Sequence, residues 1–136
     1  MIQQGATTRF KTNLLNGAED FTTGVYKIAL YTALADLGPE TTAYTTTGEI
    51  TGTGYVAGGE TLTNVIPASN GTTAFISFLN VTWTPASFTA RGALIYNGTT
   101  GDSVAVLDFG SDKTATTSFT VTFPTATATS AIIRLS

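Results

Sequence analysis

The strongest constraint in this chain is a pair of runs apolar at both parities, inside the stretch Ser87 to Gly110, SFTARGALIYNGTTGDSVAVLDFG. Side chains alternate sides along a strand. In Thr89 to Tyr96, therefore, Leu94 and Tyr96 share one face while Ala93 and Ile95 share the other. Ser103 to Phe109 repeats the pattern, with Val104 and Val106 set against Ala105, Leu107 and Phe109. Strands of this kind need cover on both faces. Between them, Asn97-Gly98 and Gly101-Asp102 tolerate positive φ, which predicts a hairpin. The hairpin belongs at the middle of a sheet, with the rest of the chain arranged to cover it.

The flanking sequence is punctuated at short spacing. Val25 to Thr32 reads as a strand with Tyr26, Ile28 and Leu30 on one face and Lys27, Ala29 and Tyr31 on the other. Further strands are expected at Glu60 to Ile66, Thr72 to Phe78, Val81 to Thr84, Ser118 to Phe123 and Ala131 to Leu135. Turns separate them at Pro67 with Asn70-Gly71, at Thr84-Pro85-Ala86, at Ser111-Asp112 and from Pro124 onward. One short helix, Arg9 to Asn16, precedes them, closed by Gly17 and anchored by Phe10, Leu14 and Phe21. It is too short to persist without leaning on the sheet. The fold class is thus all-β: an antiparallel β-sandwich or flattened barrel of about seven or eight short strands, with one short N-terminal helix. Residues 1–8 are expected as a flexible arm and residues 9–136 as a single domain. Leu14, Phe21, Ile28, Leu30, Phe75, Leu94, Ile95, Val106, Leu107, Phe119, Val121 and Ile133 are the predicted core.

Composition narrows the partners. Six basic residues, Arg9, Lys11, Lys27, Arg91, Lys113 and Arg134, are scattered in a chain of net charge −3. No basic stripe exists to neutralise a run of phosphates, so nucleic acid is not an expected partner. There is no cysteine and no histidine, which removes thiolate nucleophiles, the commonest general base and the commonest metal ligands. No cofactor is expected. MIQQGATTRF has no apolar core of signal-peptide length, and no apolar run approaches a membrane span, so no membrane partner is expected either. Charged residues make up 11%, and 30 threonines carry the polar remainder. A surface of hydroxyls in place of charges suits a protein that meets other proteins over much of its area.

The pattern breaks from Ala33 to Gly59. This segment has a Thr-rich run, five glycines between Gly48 and Gly59, and few apolar residues. A turn of 3₁₀ helix near Pro39 to Ala43 and a short edge strand at Glu49 to Thr51 are the only local order expected in it. Ordering such a loop costs about 1–2 kcal/mol per residue, and in a monomer nothing in its sequence offsets that. The loop is therefore expected to be mobile alone and ordered at a subunit boundary, with Tyr44, Ile50 and Tyr55 as the candidate protein-contact residues.

Several letter patterns imitate chemistry. Gly52-Thr53-Gly54-Tyr55-Val56-Ala57-Gly58 lacks the strand before and helix after that a dinucleotide loop requires, and its spacing is one residue too long. Asp108-Phe109-Gly110 has none of the other kinase elements around it. Asp102, Asp108 and Asp112 are too spread for a calcium loop. The first and last suit turns. If Ala93 pairs with Val106, Asp108 falls opposite Arg91. Asn70-Gly-Thr, Asn80-Val-Thr and Asn97-Gly-Thr are sequons by letter in a chain where threonine is frequent. Trp83 reads as a core plug with its N–H bonded to backbone, or, if exposed, as a platform for a sugar ring. No catalytic residues are assigned, since no two acids suggest the facing pair a carboxylate-only glycosidase uses.

Two segments, TTAYTTTGEITGTGYVAGGETLTN (residues 41–64) and VTWTPASFTARGALIYN (81–97) with VAVLDFGSDKT and the ending FPTATATSAIIRLS, carry a resemblance. In this order, after a short helix, they resemble small virion structural proteins of tailed bacteriophages, over about Phe10 to Leu135. The resemblance implies a non-enzymatic particle component. Its first form is a capsid decoration or cement protein, homotrimeric, made in the host cytoplasm and bracing neighbouring major capsid subunits on the capsid surface. The alternative is a receptor- or carbohydrate-binding module of a tail or fibre. The resemblance supplies no functional residues.

Overall fold

The computed structural model describes residues 1–136. Ten strands and one helix follow in order: β1 (Gly5–Ala6), α1 (Thr8–Leu15), β2 (Tyr26–Tyr31), β3 (Glu60–Thr61), β4 (Asn64–Asn70), β5 (Thr73–Phe78), β6 (Val81–Trp83), β7 (Phe88–Asn97), β8 (Ser103–Ala115), β9 (Phe119–Val121) and β10 (Ile133–Leu135). The strands form a five-stranded sheet, β1-β8-β7-β2-β3, a three-stranded sheet, β10-β5-β4, and a two-stranded pair, β6-β9. Every strand pairing is antiparallel. The architecture is all-β and sandwich-like, and β7 is the middle strand of the large sheet, as its apolar pattern requires.

Both faces of that sheet are covered, each by a different part of the chain. On one face Tyr26, Ile28 and Leu30 of β2 and Ala93 and Ile95 of β7 pack with Ile76, Phe78, Trp83, Phe119 and Val121 from the two smaller sheets. On the other, Ala29, Tyr31, Leu94, Tyr96 and Val106 pack with Ile2, Ala35 and Leu37, with Tyr44 laid over them. The predicted phases of β2 and β7 hold. In β8 they switch. Ile95 pairs with Ala105 but Tyr96 pairs with Ser103, so Val104 is an extra residue and turns into the first core beside Ala105 rather than joining Val106.

The first residues are not a loose arm. Ile2 is buried and bridges Leu37, Gln3 N donates to the Leu37 carbonyl at 2.8 Å, and Gly5–Ala6 pair with Val106 and Ala105. They are held because Leu94, Tyr96 and Val106 need a roof on the second face. Thr7 then caps α1. Its Oγ1 accepts from Phe10 N at 3.2 Å, and it receives the Ser103 hydroxyl at 2.9 Å, which fastens the helix start to β8. Phe10 is buried, and Phe21 stacks on Tyr26 with ring centroids 4.4 Å apart.

Other boundaries move for local reasons. β4 runs through Pro67: Val65 pairs with Ser77 and Ala68 with Phe75, so Ile66 and Pro67 together oppose one residue. A proline is tolerated at such a bulge on an edge strand. The hairpin register is one residue from that expected, with Ala93 opposite Leu107 and Gly92 opposite Asp108. The Arg91–Asp108 ion pair forms nonetheless, Nε to Oδ1 at 3.6 Å, at a second irregularity, where Arg91 of β7 stands opposite the four β8 residues Phe109 to Asp112. About a third of each side chain is exposed, so the pair is worth under about 1 kcal/mol. Of the predicted core, Leu14, Phe75, Leu107 and Ile133 are half-buried and the other eight are buried.

Candidate functional site

The residues proposed as a contact surface come together, but they face inward. Ile50 is buried in the first core, and its N–H donates to the Leu30 carbonyl at 3.0 Å. Tyr44 lies flat on Tyr96, ring centroids 4.8 Å apart. The Tyr55 hydroxyl accepts from Leu30 N at 3.0 Å, and its ring meets Phe88 edge-on at 5.9 Å. The loop from Ala33 to Gly59 thus packs against its own sheet. The physical reason is one carboxylate. Glu49 accepts from the Tyr44 hydroxyl at 2.6 Å, the Tyr55 hydroxyl at 2.5 Å and Gly58 N at 2.8 Å. Around this knot the Tyr96 hydroxyl donates to the Gly58 carbonyl at 2.6 Å and the Tyr31 hydroxyl to the Thr45 carbonyl at 2.6 Å. Glu49 itself bridges Tyr31 at the edge of β2, where an edge strand was expected. Near Pro39 the local order is a hydrogen-bonded turn, Thr41 N to the Gly38 carbonyl, in place of a 3₁₀ helix.

The glycines of this loop serve close approach. Gly59 has φ +77°, and a Cβ there would run into the Ile28 carbonyl oxygen. Gly54, at φ +88°, would meet the Pro85 carbonyl in the same way. Gly59→Ala is expected to destabilise the fold by about 3 kcal/mol or more, since it combines left-handed strain with a backbone clash. A denaturation midpoint within error of wild type is the contrary result. In the isolated protein, hydrogen exchange at Ile50, Tyr55, Gly58 and Gly59 is expected to be slow, because each N–H has an acceptor. Fast exchange there, with slow exchange in β7, would restore the mobile loop.

Chemically the knot ties the loop to its sheet. Burial first, then the Glu49 carboxylate, holds the Tyr31, Tyr44, Tyr55 and Tyr96 phenols above their ordinary value near 10. An activated tyrosine needs the opposite shift. A smaller knot sits where α1 meets β2. The Tyr26 hydroxyl and Asn97 Nδ2 both donate to Glu19 Oε1, at 3.3 and 3.1 Å. Burial raises the Glu19 carboxyl.

The remaining candidates fall into structural places. Trp83 is buried against Tyr55 and Phe119, so it is the core plug and presents no sugar platform, but its Nε1 finds no acceptor. Asp102 accepts from Asn13 Nδ2 at 2.9 Å, and Asp108 accepts from Gly110 N. Asp102, Asp108 and Asp112 do not converge, and no three acidic side chains gather anywhere. Asn97 Oδ1 accepts from Thr99 N and Thr100 N and shapes its own turn, while Asn80 Oδ1 accepts from Phe123 N and ties the residue before β6 to the segment after β9. Glu49 was not singled out from the sequence. The only signal was an acid standing between two tyrosines five and six residues away. The chain matches no protein-family model, no curated protein and no solved structure.

Proposed function

We propose that this protein is a structural component of a tailed-bacteriophage particle: a decoration or cement protein that sits on the outer capsid surface with other copies of itself and braces neighbouring major capsid subunits. The resemblance of residues 41–64, 81–97, 104–114 and 123–136 to small virion proteins motivates the reading. The observation that carries it is the surface. Leu15 and Leu34 are 92% and 91% exposed, and Val56 and Ile66 are 76% and 69% exposed. Around them the polar cover is largely threonine, with only six basic and nine acidic residues in the chain. Single exposed apolar residues are ordinary, but a surface this poor in charge is better suited to burial against a shell than to a free monomer. Many weak contacts repeated over a lattice then add through effective concentration.

Purified particles test this. The expected result is a band of this chain in near-stoichiometric ratio to the major capsid protein, lost with the particle surface on mild stripping. A copy number in small multiples would place it in the tail, and absence from particles would end the reading.

A further inference from the structure

The sandwich is open along one side. β8 runs for 13 residues, yet its outer neighbour β1 covers only Ala105 and Val106. Beyond that point, side chains cap the strand where another strand would lie. Gln4 Oε1 accepts from Asp108 N at 3.1 Å, and the carboxylate of Asp108 accepts from Gly110 N at 2.9 Å. Two adjoining cavities of about 510 and 570 Å³ follow this edge and share Gln4, Leu107 and Ile132. Their floor is the first core itself, where Ala6, Leu107, Phe109, Ile132 and Ile133 are only half-buried. The far wall of the second cavity is β9, whose only strand partner is β6. Other edges are blunted: β3 is two residues long, and β4 carries Pro67 and a bulge.

Charge indicates the occupant. The acid in this groove, Asp108, is already paired with Arg91, whereas Lys113 and Arg134 line it without an acidic partner. We propose that the groove takes an extended, carboxylate-bearing segment of the shell subunit as an added strand beside Leu107 to Phe109, with one of its carbonyls taking the place of Gln4 Oε1 at Asp108 N. Its alternate apolar side chains would lie over Phe109 and Ile132, and its acid would face Lys113. A second copy of this chain does not fit as well. Of its own acids in strands, Asp108 is held by Arg91, Glu60 lies in a strand of two residues, and only Asp112 on β8 is left to face the groove. This inference rests on the reading of the chain as a capsid-binding protein, and it names the contact.

Photocrosslinking on intact particles tests it. Ser118, exposed on the groove wall, is replaced by p-benzoylphenylalanine. The expected product is a crosslink to the major capsid protein. In competition with wild type at equal concentration, Lys113→Glu is expected to lower particle occupancy about tenfold. A crosslink to another copy of this chain, or none from particles that carry it, overturns the groove and leaves the capsid reading standing. Unchanged occupancy of Lys113→Glu removes the proposed acid. Particles without the protein overturn both.

Discussion

In an alkaline titration followed by ultraviolet absorbance, the native protein is expected to show clearly less tyrosinate at about pH 10.5 than free tyrosine, which is more than half ionised there. All five tyrosines should then ionise together as the chain unfolds. The chain contains five, and each is held above its ordinary value, with burial as the first cause. Glu19 beside Tyr26, and Glu49 beside the other four, add to it. The sign follows from proton binding. The folded state keeps phenol protons that the unfolded state releases near pH 10, so stability is unaffected below that pH and falls as pH rises above it. Each buried phenol contributes about 1.4 kcal/mol per pH unit, and Tyr44, partly in water, contributes less. Against a typical stability of about 5–15 kcal/mol, several phenols acting together unfold the protein within about two pH units. A tyrosinate signal centred on pH 10 with unchanged circular dichroism is the contrary result.

Glu49→Ala is expected to lower stability by about 3 kcal/mol and to release the loop around Tyr55. The substitution strands three donors at once, the Tyr44 and Tyr55 hydroxyls and Gly58 N. Hydrogen bonds to a charged acceptor contribute about 1.5–3 kcal/mol each, but water can reach a half-buried site and replace part of the loss. Glu49→Gln keeps the shape and one acceptor while turning an amide NH2 toward a donor, so about half the effect is expected. Urea midpoints measure both, and hydrogen exchange at Tyr55 and Gly58 locates the change. A loss under about 0.5 kcal/mol for Glu49→Ala would mean that Ile50 and the Tyr44–Tyr96 stack hold the loop without the carboxylate.

Local pattern carried much of the architecture. The double-sided apolar run around Leu94 and Ile95 required cover on both faces, and two separate cores provide it. The alternation in β2 and the place of α1 followed from period alone. The register of β8 did not. Val104 and the residues Phe109 to Asp112 opposite Arg91 sit in bulges, and a bulge depends on what lies across the strand rather than on the strand's own residues. Ile66 and Pro67 show the same limit, since a proline reads as a stop until the strand is known to be an edge.

The loop from Ala33 to Gly59 marks the deeper boundary. Its glycines and threonines read as freedom, because composition measures the entropy lost on ordering but not the partners gained. Those partners are remote in sequence: Leu30 for Ile50 and Tyr55, Tyr96 for Tyr44, and the Ile28 carbonyl, which leaves no room for a side chain at Gly59. By itself, the sequence determined that a two-faced antiparallel sheet would form around β7 and that both its faces would be covered. Only the tertiary structure decided which segments supply that cover. It sent Ile2 and the loop's Ala35, Leu37 and Tyr44 to one face, turned Ile50 and Tyr55 into the other, and left the side beside β8 open. Covering a strand requires only apolar area, which many segments could provide. Choosing among them requires hydrogen-bond geometry at single groups such as Glu49 and Thr7, and that geometry exists only once the chain has folded.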